Sequence, residues 1–392
     1  MQKISVSGPA ELVTIVPFHL GFQPERSVVA ICLRDRAFGL VARIDVVGSP
    51  HAAEAAAQLT ETLRRDGPSA VALVSYESRP GEARPLAAAL GAALGLAGIQ
   101  VIEDLVIRDG RWYCLKVDDC PDEGEDLPAP ADVPAVAGYV ALGRAVLADR
   151  EAMESLVRPA PEAGDSGSGV GEAIARWRCS YHAALRTRSL RWVERDGTTS
   201  RSQDAQPDRP TRWDVLADEC FAAWGRLLDG GEPTNLDPLL PALVGPLDDK
   251  DLRDAVIAWL CPGWLPSAAF DERLRRRLDA LGSPAGQPRQ LGQLGQMGQG
   301  VETPVDPECP PGVDDFPCED RRVEQALQAL CRATPAGFAA PVLTITASHA
   351  WWRGDGTKAG MCVDLALEIE PDHKLARLMR LSLDHGLRVP AA

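Results

Sequence analysis

Continuous apolar runs that alternate with helix-like segments limit the folds open to this chain more than any other feature. Three short runs, Val28–Leu33, Ala70–Val74 and Ile99–Ile102, are bounded by polar or turn residues and are typical of buried strands. The segments His51–Arg65 and Glu82–Leu96 have the apolar spacing of helices. Because strands that are apolar on both faces need helices to cover them, the sequence predicts a mixed sheet covered by helices.

Turn residues mark where these elements end. Pro9 suits the first turn of a helix, and Gly21 suits its end, since glycine adopts the left-handed conformation without strain. Asp109-Gly110 predicts a tight hairpin into a following strand. A further hairpin is expected to pair the strand at residues 28–33 with Phe38–Val47.

The rest of the chain has mainly helical patterns, interrupted by linkers. One long helix is predicted over Ala135–Val157, before a Gly- and Ser-rich linker at Gly164–Gly171. The predicted fold class is an α/β N-terminal domain followed by an all-helical C-terminal region with a repeat-like helical hairpin. The predicted divisions are an α/β domain (1–118), an acidic connector with that long helix and linker (119–169), a helical region (170–281), a low-complexity tether (282–318) and a helical cap (319–392).

The charge of the chain is strongly acidic. Its 56 Asp and Glu residues outnumber 41 Lys and Arg residues, which gives a formal net charge of −15. A field of this sign repels phosphate backbones unless a local basic face exists, and it favours basic partners. Nucleic acid is therefore not an expected partner.

Cysteine and histidine are scattered. The ten Cys form no CxxC pair, and the six His, among them His349, show neither HxH nor HExxH spacing, so no metal and no cofactor are predicted. The N-terminal residues lack an apolar signal core, and no run of about 18 apolar residues occurs. We therefore expect a cytoplasmic protein with reduced thiols and no membrane segment.

The segment Arg176–Arg195 is both basic and aromatic, which leaves two interpretations open. Arg side chains pair with phosphates, and Trp177, Tyr181 and Trp192 could stack on bases. Alternatively, the segment is an amphipathic helix, because Ile174, Trp177 and Tyr181 fall on one face at helical spacing. We favour the amphipathic helix.

The C-terminal cap contains a pattern of a known repeat. Ala350-Trp-Trp-Arg-Gly354-Asp is followed by Ala359, Ala366 and Pro371, an order and spacing that resembles the second half of a tetratricopeptide repeat. Such a hairpin packs two helices closely through its small residues. The pattern covers about one and a half repeats, fewer than the three that form a free-standing array, so we expect a cap on the preceding domain.

Two further motifs carry a resemblance over nearly the whole chain. The first is Pro17-Phe-His-Leu-Gly-Phe-Gln-Pro24-Glu-Arg-Ser27, followed by Val41-Ala-Arg43-Ile-Asp45. The second is Gly110-Arg-Trp112-Tyr, followed by Cys120-Pro-Asp-Glu-Gly124. Together with the closing Trp-x-x-Gly-Asp-Gly segment, they resemble the bacterial family called domain of unknown function 4192. The resemblance implies a fold and a soluble bacterial protein, and it implies no established activity and no catalytic residue.

Four residues of the first motif are the candidate ligand-binding residues: Arg26, Ser27, Arg43 and Asp45. Arg26 and Ser27 are expected to be exposed polar residues at the start of a strand. Arg43 and Asp45 share one strand face by alternation, so they can pair or bind a ligand. Alternatively, most of the motif has a structural role, because Gly21 ends a helix and Pro24 sets the turn into the strand.

These patterns favour a binding protein over an enzyme, because no complete catalytic constellation occurs in the sequence. We expect a cytoplasmic adaptor or regulator that binds another protein through its helical region. The alternative is a small-ligand-binding protein or enzyme with its site on the α/β domain, since sheets of this kind commonly bind ligands beyond their strand ends.

Overall fold

The computed structural model describes residues 8–34, 37–116, 123–141, 143–161, 169–196, 210–229, 235–281 and 318–387. The chain divides into two compact units, which we call the α/β unit (residues 1–155 and 381–387) and the helical unit (residues 156–380 and 388–392). The tether predicted over 282–318 lies outside the described residues except for Cys318, and so does most of the predicted linker.

The α/β unit contains a six-stranded mixed sheet, which confirms the predicted fold class. The strands are β1 (Ser27–Arg34), β2 (Ala37–Asp45), β3 (Ala70–Tyr76), β4 (Gln100–Arg108), β5 (Arg111–Cys114) and β6 (Glu125–Asp126). The helices are α1 (Pro9–Leu20), α2 (Ser49–Arg65), α3 (Arg84–Leu96), α4 (Pro134–Ala141) and α5 (Arg150–Ser155). The strand order is β2-β1-β3-β4-β5-β6, with β3 and β4 parallel and the other neighbours antiparallel.

Burial on both faces explains the continuous apolar runs of the central strands. Val28 and Ala30 of β1 pack in one cluster with residues of α2 and α3. Val29 and Ile31 point to the opposite face by alternation, and they too are buried. Such strands have no solvent face on which a polar residue would be favoured.

The predicted turn residues have the conformations that the sequence required. Gly21 ends α1 with a φ of 82°, and its N–H donates to the carbonyl of Pro17. Asp109 and Gly110 have φ angles of 52° and 74° between β4 and β5. Positive φ at both central residues is the signature of a type I′ hairpin, which matches the twist of the strands.

The single helix predicted over Ala135–Val157 is wrong, because the chain forms two short helices there, α4 and α5. Gly143 has a φ of 69°, and the following N–H of Arg144 donates to the carbonyl of Tyr139 at 2.9 Å. This left-handed residue ends α4. Helix α5 then begins separately, because the carboxylate of Asp149 accepts the N–H of Ala152 at 2.7 Å and caps it.

Residues 381–387 belong to the α/β unit although they follow residues 156–380 of the helical unit in sequence. The hydroxyl of Thr62 on α2 donates to the carbonyl of Asp384 at 2.5 Å, and Arg65 contacts His385. Gly386 has a φ of 62°, and a Cβ at this position would lie 2.9 Å from the methyl carbon of Thr62. Helix α2, which covers the sheet, thus makes hydrogen bonds to residues that are distant from it in sequence.

The helical unit is built around one helix, Ala339–Trp352, that is buried except for its last two residues. Its helices are α6 (Gly169–Asp196), α7 (Arg212–Asp229), α8 (Leu240–Val244), α9 (Lys250–Leu260), α10 (Glu272–Leu281), α11 (Cys318–Ala333), α12 (Ala339–Trp352), α13 (Gly356–Ile369) and α14 (Lys374–Asp384), whose last residues belong to the α/β unit. Every residue of α12 from 339 to 350 is buried, and α12 contacts α8, α9, α11 and α13. No helix within the described ranges is long and apolar enough to cross a membrane.

Candidate functional site

A small cavity lies in the helical unit beside the last turn of α12. Its volume is about 30 Å³, which is room for about two water molecules. Helices α11, α12 and α13 and the turn between the last two contribute its lining, which consists of Glu324, Leu327, Thr346, His349, Ala350, Arg353, Asp355 and Lys358. Five of these eight residues carry an ionisable side chain, an unusual concentration for a helical core.

The burial of α12 explains why His349 stands out among its polar residues. The hydroxyls of Thr344, Thr346 and Ser348 donate to carbonyls of their own helix at 2.8, 3.0 and 2.8 Å. The imidazole of His349 is only 4% exposed, and it makes no hydrogen bond with another described residue. The ring is therefore a buried polar group of the cavity wall whose nitrogens are not engaged by its own helix, unlike the three hydroxyls.

The turn from α12 to α13 positions the charged residues. Gly354 has a φ of 78°, and Asp355 caps α13 by accepting the backbone N–H of Lys358 at 2.9 Å. The ammonium of Lys358 forms an ion pair with Glu324 of α11 and lies 3.6 Å from the carboxylate of Asp355. One cation therefore bridges two carboxylates from different elements.

The protonation of the site follows from burial and these neighbours. Burial, reinforced by the positive charges of Arg353 and Lys358, lowers the pKa of His349 to about 3. Burial alone would lower the pKa of Lys358, but the charges of Asp355 and Glu324 outweigh it and raise that pKa. At neutral pH the site holds a neutral imidazole beside a protonated amine.

Two cysteine thiols lie under this site. The sulfur of Cys331 is 3.2 Å from the hydroxyl of Thr346, and both Cys331 and Cys362 are fully buried. Burial raises the pKa of both thiols well above the ordinary value. They therefore stay protonated at neutral pH and do not supply a thiolate nucleophile.

Half-buried tryptophans lie at the C-terminal end of α12, and one of them contacts a residue of the cavity wall. The ring of Trp352 contacts the imidazole of His349, with centroids 6.0 Å apart. Trp351 packs edge-to-face on Trp264, which follows α9, with centroids 5.5 Å apart and planes at 74°. In contrast to the buried Trp213 and Trp224, these three rings keep part of their surface in solvent.

The structure brings three of the four sequence-predicted ligand residues together at one end of the sheet. Ser27 is the register partner of Asp45, and Arg43 donates to Asp45 at 2.6 Å. Arg43 also donates to the carbonyl of Glu25 at 3.2 Å. Arg26 has a φ of 39°, and its side chain is exposed and pairs instead with Glu82, 3.3 Å away in the loop after β3. Both arginines are thus engaged in ion pairs.

The expected exposure of Ser27 is wrong, because β1 is paired on both sides at this position. Its partners are Asp45 in β2 and Tyr76 in β3, and the side chain of Ser27 is fully buried. The hydroxyls of Ser27 and Tyr76 and the Nε of Arg43 are buried without a hydrogen-bond partner in the described structure. The role of the four residues in ligand binding stays a prediction.

The basic and aromatic segment at Arg176–Arg195 forms part of α6, as the amphipathic interpretation requires. Ile174 and Tyr181 are fully buried, and Trp177 stacks on Tyr181 at 5.7 Å. A buried tyrosine is not available to stack on a base. The side chain of Trp192 lies outside the described residues.

Sequence reasoning missed the cavity residues as a group. His349 carries no motif signal, because its environment is created by two helices that lie before and after it in the chain. A weaker signal existed at Lys358, which is one of five lysines in a chain that uses arginine at most basic positions. The Trp-Trp-Arg-Gly-Asp segment belongs to the tetratricopeptide-like pattern in the sequence, and in the structure it also contributes Arg353 and Asp355 to the cavity.

Comparison with known proteins identifies the family of this chain but gives no activity for it. In the described part of the chain, no three His, Cys, Asp or Glu side chains gather as metal ligands would. No curated protein and no solved structure matches the chain. The sequence profile described as "Domain of unknown function (DUF4192)" matches residues 9–279 and 316–389. These two ranges span most of the chain and include both the sheet and the cavity, so the chain belongs to the DUF4192 family.

Proposed function

We propose that this chain is a partner-binding adaptor or regulator whose helical unit recognises a basic segment of another protein. The observation that carries the proposal is the group of half-buried tryptophans at the end of α12 and after α9: Trp351 packs on Trp264, and Trp352 contacts His349 of the cavity wall. Tryptophan is enriched at the energetic centres of protein interfaces because one ring buries a large area at a small entropic cost.

The size of the cavity favours a protein partner over a metabolite. Ligand pockets for small molecules typically enclose about 300 to 1,000 Å³, whereas this cavity has a volume of about 30 Å³. A cavity of this size receives one chemical group and cannot enclose a metabolite. A partner that rests on the tryptophans and places one side chain in the cavity matches both features.

The charge of the chain favours a basic partner. The formal net charge is −15, and exposed positions of α13 include Asp364 and Glu368. A chain of this net charge attracts basic segments over distances of about 10 Å at moderate ionic strength. The likeness of the α12–α13 hairpin to a tetratricopeptide repeat, the bacterial origin and the cytoplasmic location stay predictions that are compatible with this role.

Selection of peptides on the full-length chain tests the proposal. A displayed random-peptide library is panned on the immobilised protein, and the affinities of the selected peptides are measured for the wild type, Trp351→Ala and Trp264→Ala. We expect peptides rich in Lys and Arg, a loss of about 30-fold or more in the variants, and weaker binding at high salt.

Leu96→Ala is the matched control, since Leu96 is 91% exposed in the other unit. This control should bind the selected peptides as the wild type does. Peptides that bind both tryptophan variants with undiminished affinity, or a selection without basic enrichment, would contradict the proposal.

A second candidate function, a small-ligand site on the α/β unit, is favoured by one observation. The hydroxyls of Ser27 and Tyr76 and the Nε of Arg43 are buried without a partner in the described structure, and such atoms commonly bind water or a ligand. Native mass spectrometry of the purified chain tests it. A bound small molecule that is lost in Ser27→Ala and Tyr76→Phe would support this candidate, and spectra of the bare chain alone would count against it.

A further inference from the structure

The cavity beside α12 has balanced charge. Lys358 pairs with Glu324 and Asp355, so the ammonium already has two counter-charges. Arg353 also lines the cavity, so two cations face two carboxylates, and a charged group that entered would add a net charge to this balanced set. A net charge at low dielectric is unfavourable, so a neutral group is favoured.

The hydrogen-bonding groups of the cavity are mixed donors and acceptors. The neutral imidazole of His349 offers one N–H donor and one nitrogen acceptor, and neither is used by another described residue. Glu324 accepts both Lys358 and Gln328 through Oε1, which leaves its Oε2 as an acceptor. A carboxylate only accepts and an ammonium only donates, so neither complements this set.

We propose that the cavity binds one neutral group that both donates and accepts hydrogen bonds, a hydroxyl or a carboxamide. This inference rests on the proposed function, in which the group is a side chain of the partner that enters the cavity beside Trp352. The imidazole of His349 then donates to the group or accepts from it, according to its tautomer, and a carboxylate oxygen accepts from it.

Small molecules can test which chemical group the cavity binds when no partner protein is present. The full-length chain is labelled with ¹⁵N in its histidine rings, and the signals of His349 are assigned by their loss in His349→Asn. Ethanol and acetamide carry the proposed groups, while acetate and methylammonium are charged probes of similar size. We expect ethanol or acetamide to shift the His349 nitrogen resonances with half-saturation in the millimolar range, as suits so few atoms, and acetate and methylammonium to have no saturable effect.

Ala350→Leu is the cavity-filling variant, because Ala350 lines the cavity and the substitution leaves every polar group in place. Ala222→Leu is its control at an exposed position of α7. The response to the neutral probes should vanish in the first variant and persist in the second. The wild-type probe series gives an answer even if Ala350→Leu does not fold.

Saturable shifts with acetate or methylammonium, or with none of the four probes, would overturn the inference. Its failure is distinguishable from failure of the proposed function. If peptides bind in a tryptophan-dependent way while all probes fail, only the assignment of the group is wrong. If the neutral probes bind while no basic peptide is selected, the cavity assignment stands and the proposed partner is wrong.

Discussion

The chemistry of His349 depends on where the fold places it. In the sequence it is one of six scattered histidines, and in the structure it is a buried ring facing Glu324 of α11, Arg353 at the end of α12, and Asp355 and Lys358 at the start of α13. An exposed histidine titrates near pH 6.5. Burial and the two cations hold this one neutral down to a pKa of about 3.

Acidification should therefore destabilise the protein through His349. The unfolded chain binds a proton near pH 6.5 whereas the folded chain does so only near pH 3, so this contribution to stability is complete above pH 6.5 and is lost as the pH falls. The expected slope is about 1.4 kcal/mol per pH unit below that value, or roughly 2 kcal/mol between pH 7 and pH 5. Urea unfolding at both pH values measures it.

His349→Asn removes the titrating ring, so its stability should change much less between the two pH values. His51→Asn changes an exposed histidine on α2 and should keep the wild-type slope. A slope in His349→Asn equal to that of the wild type would show that other groups cause the acid sensitivity.

At the scale of elements, the turn between α12 and α13 holds the cavity residues in place. Gly354 has a φ of 78°, and a Cβ there would meet no atom within 4 Å. Gly354→Ala should therefore destabilise the protein by about 1 kcal/mol through backbone strain alone, since a side chain in the left-handed region costs roughly that amount. Chemical denaturation of the two proteins measures the difference.

Gly356→Ala is the matched control two residues later. Gly356 begins α13 without a left-handed φ, and its Cβ would also meet no atom within 4 Å. Because alanine favours helix over glycine by up to about 1 kcal/mol, this variant should be as stable as the wild type or more stable. Equal losses in the two variants would contradict the role of the turn geometry.

The elements that the sequence predicted correctly are those whose signals are local. The apolar run at Val28–Leu33 and the Asp109-Gly110 turn specify their conformations within a few residues. The helix predicted over Ala135–Val157 failed because the periodicity continued across Gly143, whose left-handed conformation ends α4. The sequence shows that residue 143 is a glycine, but it does not show that this glycine adopts a left-handed conformation.

The candidate site could not be predicted from local signals. Its wall combines Glu324, His349 and Lys358 from three helices, and only tertiary packing makes the imidazole buried. The burial of Ser27 has the same origin, since strands on both sides of β1 cover it. In both cases the sequence shows which residue types are present and does not show what surrounds them.

At the scale of the whole molecule, the α/β unit recruits residues 381–387 from beyond the helical unit. Gly386→Ala should disturb this segment, because its Cβ would lie 2.9 Å from Thr62 at a left-handed φ of 62°. Amide hydrogen exchange in α2 should then accelerate roughly tenfold, since Thr62 and Arg65 lose their partners. A chain truncated after Arg380 should show the same pattern.

Gly98→Ala separates the clash from the backbone strain. Gly98 also has a positive φ, of 75°, but a Cβ there would meet no atom within 4 Å. This variant should leave exchange in α2 unchanged. Unchanged exchange in Gly386→Ala and in the truncated chain would mean that residues 381–387 do not stabilise α2.

The position of this segment has a consequence for biosynthesis. Domains generally fold as units in the order in which the ribosome releases them, but residues 381–387 emerge only after residues 156–380 of the helical unit. Until then, Thr62 and Arg65 lack the acceptors that Asp384 and His385 supply. In a nascent polypeptide or a proteolytic fragment without these seven residues, helix α2 covers the sheet but lacks these contacts. Chaperones and proteases can therefore distinguish such a chain from the mature protein by the less stable α2.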